Sequence, residues 1–516
     1  MASLTFHRAS FGYHAGPRDL FAELQFSLTD GWTGIVGANG AGKTTLLRLA
    51  CGELAPREGS IDAPPAVVYC PQRTDDPPRD LEAFLAATDG EAYRWRGQLG
   101  VEDDYLHRWS TLSHGERKRA QLAAALWRAP ALLAVDEPTN HLDEAARQRV
   151  IGTLRAFRGV GLLVSHDREL LDGLCTRSLF VLPPRVILRS AGYSVAREEL
   201  LAEDRAVRER RDKARREERR LVGERVVRRR HQEIGEKAKS LRGVNPRDSD
   251  ARQKAYAARV SDSGAGKRLR QLDGRIAQAR AAQHVGPLME EHDLGIGITG
   301  ERSNRNTLLR LEGSTLPLGE ERSLTFPDLI LQPSDRVALI GPNGAGKSTL
   351  IRRIVETIEL DAERLIYVPQ EISIEQSAVI HEAARATSGQ QLGEAMAWVR
   401  RLGSDPQRVL DSALPSPGEV RKLLLATKLA QHPHLILMDE PTNHMDLPSI
   451  ECLEEALAEC ACALLLVSHD RAFLDRLTEI EWAIGPLDRS GTSYELTIHL
   501  GKRPPSEVAS TTREGP

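Results

Sequence analysis

Two stretches of this 516-residue chain are nearly the same words: GANGAGKTT from Gly37 to Thr45 and GPNGAGKST from Gly341 to Thr349. A loop of the form GxxxxGK[ST] turns backbone N–H groups inward at the start of a helix, so it fixes a strand before it, a helix after it and an anion cradle between them. Three later features follow each loop in the same order, Ser113 and Ser416, Asp136 and Asp439, His166 and His469. Each pair keeps the separation set by Lys43 and Lys347 to within one residue. Such registration marks an internal duplication of a whole domain, and a chain this long is expected to divide in any case.

The flanking patterns give the fold class. Apolar runs, WTGIVG and RVALIG, lead into the loops, and the amphipathic TTLLRLACG and STLIRRIVE leave them, which reads as strand, loop, helix. Short runs that are apolar throughout, ALLAVDE, LILMDE, GLLVSHD and ALLLVSHD, read as buried parallel strands with polar residues at their C-terminal ends, where such sheets bind ligands. The expected fold is α/β, with two P-loop domains in tandem over residues 1–190 and 289–498. The six cysteines are too scattered for a disulfide framework and are expected to be reduced and buried. Neither a signal peptide nor an apolar run of membrane-spanning length is present, so a cytoplasmic protein is expected.

Residue types assign roles within each half. Backbone groups of Gly37, Asn39, Gly40, Gly42 and Thr45, and of Gly341, Asn343, Gly344, Gly346 and Thr349, are expected to cradle the phosphates of ATP. Lys43 and Lys347 reach the terminal phosphates, and Thr44 and Ser348 reach Mg²⁺. Asp136 and Asp439 end apolar strands and join the metal shell. The adjacent Glu137 and Glu440 diverge from them and serve as general bases for the attacking water. Gln72 in VVYCPQ and Gln370 in LIYVPQ stand where an uncharged side chain touches Mg²⁺ or that water, and His166 and His469 bond the terminal phosphate.

LSHGERKRAQLAAAL, from Leu112, resembles the signature sequence of the ATP-binding cassette superfamily. With DEPTNH twice (Asp136 to His141, Asp439 to His444), both cassettes on one chain and no membrane domain, the sequence resembles the ABC-F family over nearly its whole length. The resemblance implies a head-to-tail sandwich within a monomer. Ser416, Gly418 and Glu419 would then cap the nucleotide on Gly37 to Thr45, and Ser113, Gly115 and Glu116 the one on Gly341 to Thr349. It also implies action on the ribosome, as a translation factor or in antibiotic protection, with the interdomain linker inserted towards the peptidyl-transfer centre. Three departures stand out. The second signature reads PSPGE (Pro415 to Glu419); Tyr13 can stack on adenine while TLPLG (Thr315 to Gly319) offers no aromatic; and Gln72 and Ser113 are too close for an added arm subdomain. Unequal sites are expected.

Net charge is only −3, yet Ala191 to Arg280 holds 26 Lys and Arg against 15 Asp and Glu. From Ser194 to Ser240 the composition is that of a long exposed helix. Leu200, Val207, Ala214 and Leu221 recur every seventh residue, and Val227, Ile234 and Leu241 resume the spacing after a slip, which predicts a coiled-coil seam. Its mate holds Leu269, Leu272, Ile276 and Ala279, and LRGVNPRDSD marks the turn of an antiparallel hairpin spanning 191–288. Arg228, Arg229, Arg230, Lys237, Lys239, Arg242, Arg247, Arg252 and Lys254 crowd towards its tip as candidates for binding phosphates of rRNA or tRNA. An ATPase subunit of a membrane transporter, or a DNA-associated ATPase, are the other readings these features admit. Residues 499–516 are expected to be a disordered tail.

Overall fold

Fully apolar runs form the strands nearest the phosphate loops. In the first cassette Gly31–Val36 feeds the loop and has parallel neighbours on both sides, Val160–Val164 and Arg177–Leu182. Leu132–Asp136 and Val67–Cys70 extend the sheet beyond Val160–Val164, and the antiparallel Arg185–Arg189 closes the other edge of the six strands. Every residue of Leu132–Asp136 and Val160–Val164 is buried, as a strand covered on both faces requires. A separate antiparallel sheet of Ser3–Phe11, Phe21–Thr29 and Glu58–Asp62 brings Phe6, Phe21 and Leu24 into one core with Leu47, Leu162 and Val164.

The structure is a computed structural model that describes residues 2–13, 19–140, 142, 144–238, 249–250, 253, 263–283, 301–319, 322–361, 363–370, 372–386, 389–411, 417–429, 433–443, 445–487 and 492–501. The chain divides into two units, Met1–Ser194 with His292–Pro516, and Val195–Glu291. Both cassettes lie in the first unit. The second cassette repeats the pattern in one eight-stranded sheet. Arg336–Ile340 lies between Ala463–Val467 and Ile480–Pro486, with Leu435–Asp439 and Leu365–Val368 beyond the former. Its outer strands, Ser493–Leu500, Ser323–Phe326 and Ser314–Pro317, continue that sheet, and a two-stranded antiparallel sheet of Leu309–Leu311 and Leu329–Leu331 stands apart, as the three antiparallel strands of the first cassette do. One cysteine expectation is corrected. Cys460 and Cys462 are paired as a disulfide, because the chain leaving helix Leu447–Glu459 brings their Cα atoms to 5.6 Å; Cys51, Cys70, Cys175 and Cys452 are free.

The second unit takes most of helix Tyr193–Ala238 and the whole of helix Ser263–Gln283. Leu221, Leu272 and Ile276 form a small core with Val222. Around it Arg225 pairs with Asp273 (2.9 Å), Glu217 with Arg275 (3.0 Å) and Glu218 with Arg280 (2.7 Å). Arg225 meets Asp273, whereas Glu218, earlier on its helix, meets Arg280, later on the other, so the two are antiparallel. The seam does not resume at Val227, which is 55% exposed. It lies six residues past Leu221, about 120° round the helix from the buried stripe. The side chains of Ile234, Leu241 and Leu269, and the turn up to residue 248, lie outside the described residues, as do residues 502–516 of the tail.

Candidate ATP sites

Each phosphate loop needs glycine where its backbone turns. Gly42 and Gly346 precede helices Lys43–Ala50 and Lys347–Thr357 at φ +96° and +94°. A Cβ at Gly42 would also stand 2.9 Å from Leu20 and Phe21, so only glycine fits. Lys43 Nζ curls back to donate to Gly37 O (2.8 Å) and Ala38 O (3.1 Å), and Lys347 does the same to Gly341 O (2.7 Å) and Pro342 O (3.1 Å). Burial lowers the affinity of Lys43 for its proton. Thr44 Oγ1 donates to Asp136 Oδ2 at 2.8 Å, and Ser348 Oγ to Asp439 Oδ2 at 2.7 Å. Thus each loop hydroxyl meets the aspartate that ends the neighbouring strand.

At the next residue both chains leave the strand in the left-handed region, φ +48° at Glu137 and +51° at Glu440. Their N–H groups donate to Val164 O and Val467 O, each at 2.8 Å. Both glutamates are buried, at 6% and 3% exposure. Burial pushes each carboxyl up to about 8. The neighbouring aspartate adds to this, second only to burial at Glu137, and the loop lysine opposes it. Glu137 Oε2 accepts from His166 N–H, and Glu440 Oε2 from His469 N–H, at 3.3 Å. The other oxygen of each stands 3.2 Å or 3.3 Å from a histidine Nε2, out of line for a hydrogen bond, and is buried without one. Burial, and then the Lys43 charge, push His166 down to about 3, so its ring is neutral. His469 Nε2 lies 3.2 Å from Asn343 Oδ1. Both glutamates and both histidines line one cavity of about 310 Å³, together with Asn343, Gly344 and Gln370.

These groups suit Mg²⁺ and a water. A hydroxyl and a carboxylate oxygen at each loop are hard donors, and Mg²⁺ completes its shell with phosphates and waters rather than with a protein cage. Glu137 Oε1 and Glu440 Oε1 are buried acceptors short of a donor, which a lytic water would supply.

Other expected site residues are placed as follows. Gln72 and Gln370 are exposed on the loops after their strands. Ser113 caps helix His114–Trp127, with Glu116 N–H donating to its Oγ (3.3 Å) and Glu116 Oε2 accepting from Ser113 N–H (2.8 Å) and Oγ–H (2.7 Å); Gly115 lies in the first turn. Gly418 and Glu419 open helix Pro417–Leu429, while Ser416 lies outside the described residues. Tyr13 is half exposed, its ring edge-on to Phe11 and its hydroxyl 3.0 Å from Thr45 Oγ1. Thr349 begins the equivalent helix as the third residue of KST. In the linker Arg228, Arg229 and Arg230 are exposed, and Arg228 pairs with Glu224 at 2.5 Å. Lys237 is helical, its side chain outside the described residues; Lys239, Arg242, Arg247, Arg252 and Lys254 lie wholly outside them.

Bonds across the duplication were not legible as motifs. Asn39 N–H donates to Asp446 Oδ2 at 2.6 Å, joining the first loop to the second cassette. Arg168 meets the fully buried Glu454 in two bonds, 2.5 Å and 3.1 Å, and Tyr193 Oη donates to Glu451 Oε1 at 2.6 Å. The repeat puts Ile151 where Glu454 would be copied, so the pseudo-symmetry is broken there. Lys118 and Arg421, each buried behind a signature, were missed as well. A cation at one register in both copies was the available signal.

Two phosphate loops, each with its hydroxyl on a strand-end aspartate and a buried glutamate one residue on, define a tandem ATP-binding cassette ATPase. The family model described as "ABC transporter" matches residues 21–140 and 325–443. The tylosin resistance ATP-binding protein TlrC of Streptomyces fradiae is 32% identical, over 89% of this chain and 94% of that one. The ribosome protection protein VmlR of Bacillus subtilis is 28% identical, over 92% and 85%. The chain belongs to the ABC-F family. Among solved structures, the archaeal ribosome recycling factor aABCE1, in complex with the stalk protein aP1, superposes with a TM-score of 0.60 at 19% identity, covering 96% of this chain and 90% of that one. At that identity the likeness concerns the fold.

Proposed function

We propose that this ATPase acts on the ribosome, its two cassettes closing on ATP to aim the basic linker hairpin towards the peptidyl-transfer centre, and hydrolysis releasing it. The observation that carries the reading is the joining of two phosphate loops, each with its aspartate and buried glutamate, to an antiparallel helix pair with exposed arginines at Arg228 to Arg230. Likeness to a ribosome protection protein over 92% of the chain supports the ribosome as partner, and likeness to a tylosin resistance protein over 89% supports antibiotic protection as the task. Among the described residues no helix is long and apolar enough to cross a membrane.

In each site Thr44 with Asp136, or Ser348 with Asp439, would hold Mg²⁺, with Gln72 or Gln370 beside it, and the ion would supply neutralisation of phosphate charge there. Lys43 and Lys347 leave the loop carbonyls for the terminal phosphates. Glu137 and Glu440 take the proton of the attacking water, and His166 and His469 orient the γ-phosphate. The Asp446 bond to Asn39 supports a head-to-tail sandwich, in which Gly418 with Ser416, and Ser113 with Gly115, face the nucleotide of the other half. The Glu137→Gln, Glu440→Gln double variant retains ATP. It is expected to cosediment with ribosomes in ATP and not in ADP; equal sedimentation in both would refute the proposal.

A further inference from the structure

Each signature helix buries a cation, at one register in both copies, that no motif explains; the second helix also buries Lys422, which lies 3.9 Å from Asp446. Lys118 is 0% exposed and Arg421 3%, and the duplication places them at the same register. Burying a charge costs several kcal/mol unless its donors are satisfied, and burial pushes Lys118 down to about 8. The bonds that compensate are specific. Lys118 Nζ donates to Pro71 O (2.7 Å) and to Asp136 O (2.8 Å). Pro71 precedes Gln72, and Asp136 O belongs to the peptide that leads into Glu137. Arg421 spans the same two places. One nitrogen donates to Glu440 O (2.9 Å) and Asn443 O (3.0 Å), the other to Pro369 O (3.3 Å) and Gln370 O.

The two glutamates need such support. A non-glycine residue in the left-handed region costs about 1–2 kcal/mol and persists only where its surroundings fix it. The adjacent strand holds the glutamate N–H on one side. On the other side the cation holds a flanking carbonyl, before Glu137 or at Glu440 itself. Whatever fixes that peptide fixes where the carboxylate points. The same cation grips the glutamine loop, and it rides on the helix whose first turn is the signature.

We propose that Lys118 and Arg421 are positioning residues for ATP hydrolysis, each holding the glutamine loop and the hydrolytic glutamate of its own cassette in register with the signature that cassette offers to the other nucleotide. The inference rests on Glu137 and Glu440 being the general bases. It is tested in the full chain by steady-state hydrolysis and by binding of a non-hydrolysable ATP analogue.

Lys118→Met with Arg421→Met is expected to lower kcat by roughly 30-fold, with KM and analogue affinity changing by less than about threefold, because ground-state binding is left alone. The exchanged pair, Lys118→Arg with Arg421→Lys, restores kcat to within about threefold. Wild-type kcat in the methionine pair, an equal loss of affinity, or failure of the exchanged pair overturns the proposal. If the methionine pair does not fold, Lys118→Gln with Arg421→Gln keeps one donor at each place; a fall in kcat of about fivefold at unchanged KM is then expected, and wild-type kcat overturns it. Glu137→Gln with Glu440→Gln separates the two ideas: if that pair hydrolyses normally the base assignment fails, and if it is dead while the methionine pair is active the brace fails.

Discussion

Glu137 and Glu440 combine a left-handed backbone, a buried carboxyl and an oxygen without a hydrogen bond. Stability is given up there, as the base proposed for the attacking water would require. Because burial pushes both carboxyls up to about 8, the folded chain holds protons that the unfolded chain releases above the ordinary glutamate range. Between about pH 4.5 and 8 each group therefore lowers stability as pH rises, by up to about 1.4 kcal/mol per unit, and the loss levels off above 8. Glu137→Gln and Glu440→Gln have no such proton to lose. In nucleotide-free protein each substitution is expected to raise the melting temperature, by an increment that grows from pH 6 to pH 8 and is then constant. An increment independent of pH would show the carboxyls to be solvated.

At the scale of elements, the cassettes were legible because their signals are local. A glycine loop dictates its own turn, and an unbroken apolar run such as Leu132–Asp136 has nowhere to go but a covered strand. The hairpin was legible only in part: Leu272 and Ile276 are buried as their spacing implied, whereas Val227 is turned away once the seven-residue spacing slips. Bonds such as Lys118 to Pro71 or Arg168 to Glu454 were not legible, because they join segments brought together only by the finished fold. The hairpin's exposed arginines yield an element-scale prediction. Replacing Arg228, Arg229 and Arg230 by Gln should weaken ribosome binding and flatten its logarithmic salt dependence by about 2 to 3, close to one for each phosphate no longer neutralised. An unchanged slope would place the RNA-binding surface elsewhere.

In the unit that holds both cassettes, three residue pairs among the described residues join the two halves of the chain: Asn39 with Asp446 at the first phosphate loop, Arg168 with Glu454 in two bonds, and Tyr193 with Glu451. Glu454 is fully buried and also accepts from Arg476 at 3.0 Å, so removing its partners would strand a charge at a cost of about 3–5 kcal/mol. Ile151 stands at the duplicated position, so the two halves do not grip each other alike. The unequal sites expected from the second signature and from Tyr13 thus have an interface counterpart. In the proposed function, two closed ATP sites set the hairpin into a ribosome. The most direct measurement is an image of the Glu137→Gln, Glu440→Gln variant on ribosomes in ATP. Both nucleotides are expected to be clasped between the cassettes, with the helix of Arg228 to Arg230 against ribosomal RNA and the chain beyond Ala238 reaching towards the peptidyl-transfer centre. Bound particles with the hairpin in solvent, or no bound particles, would contradict it.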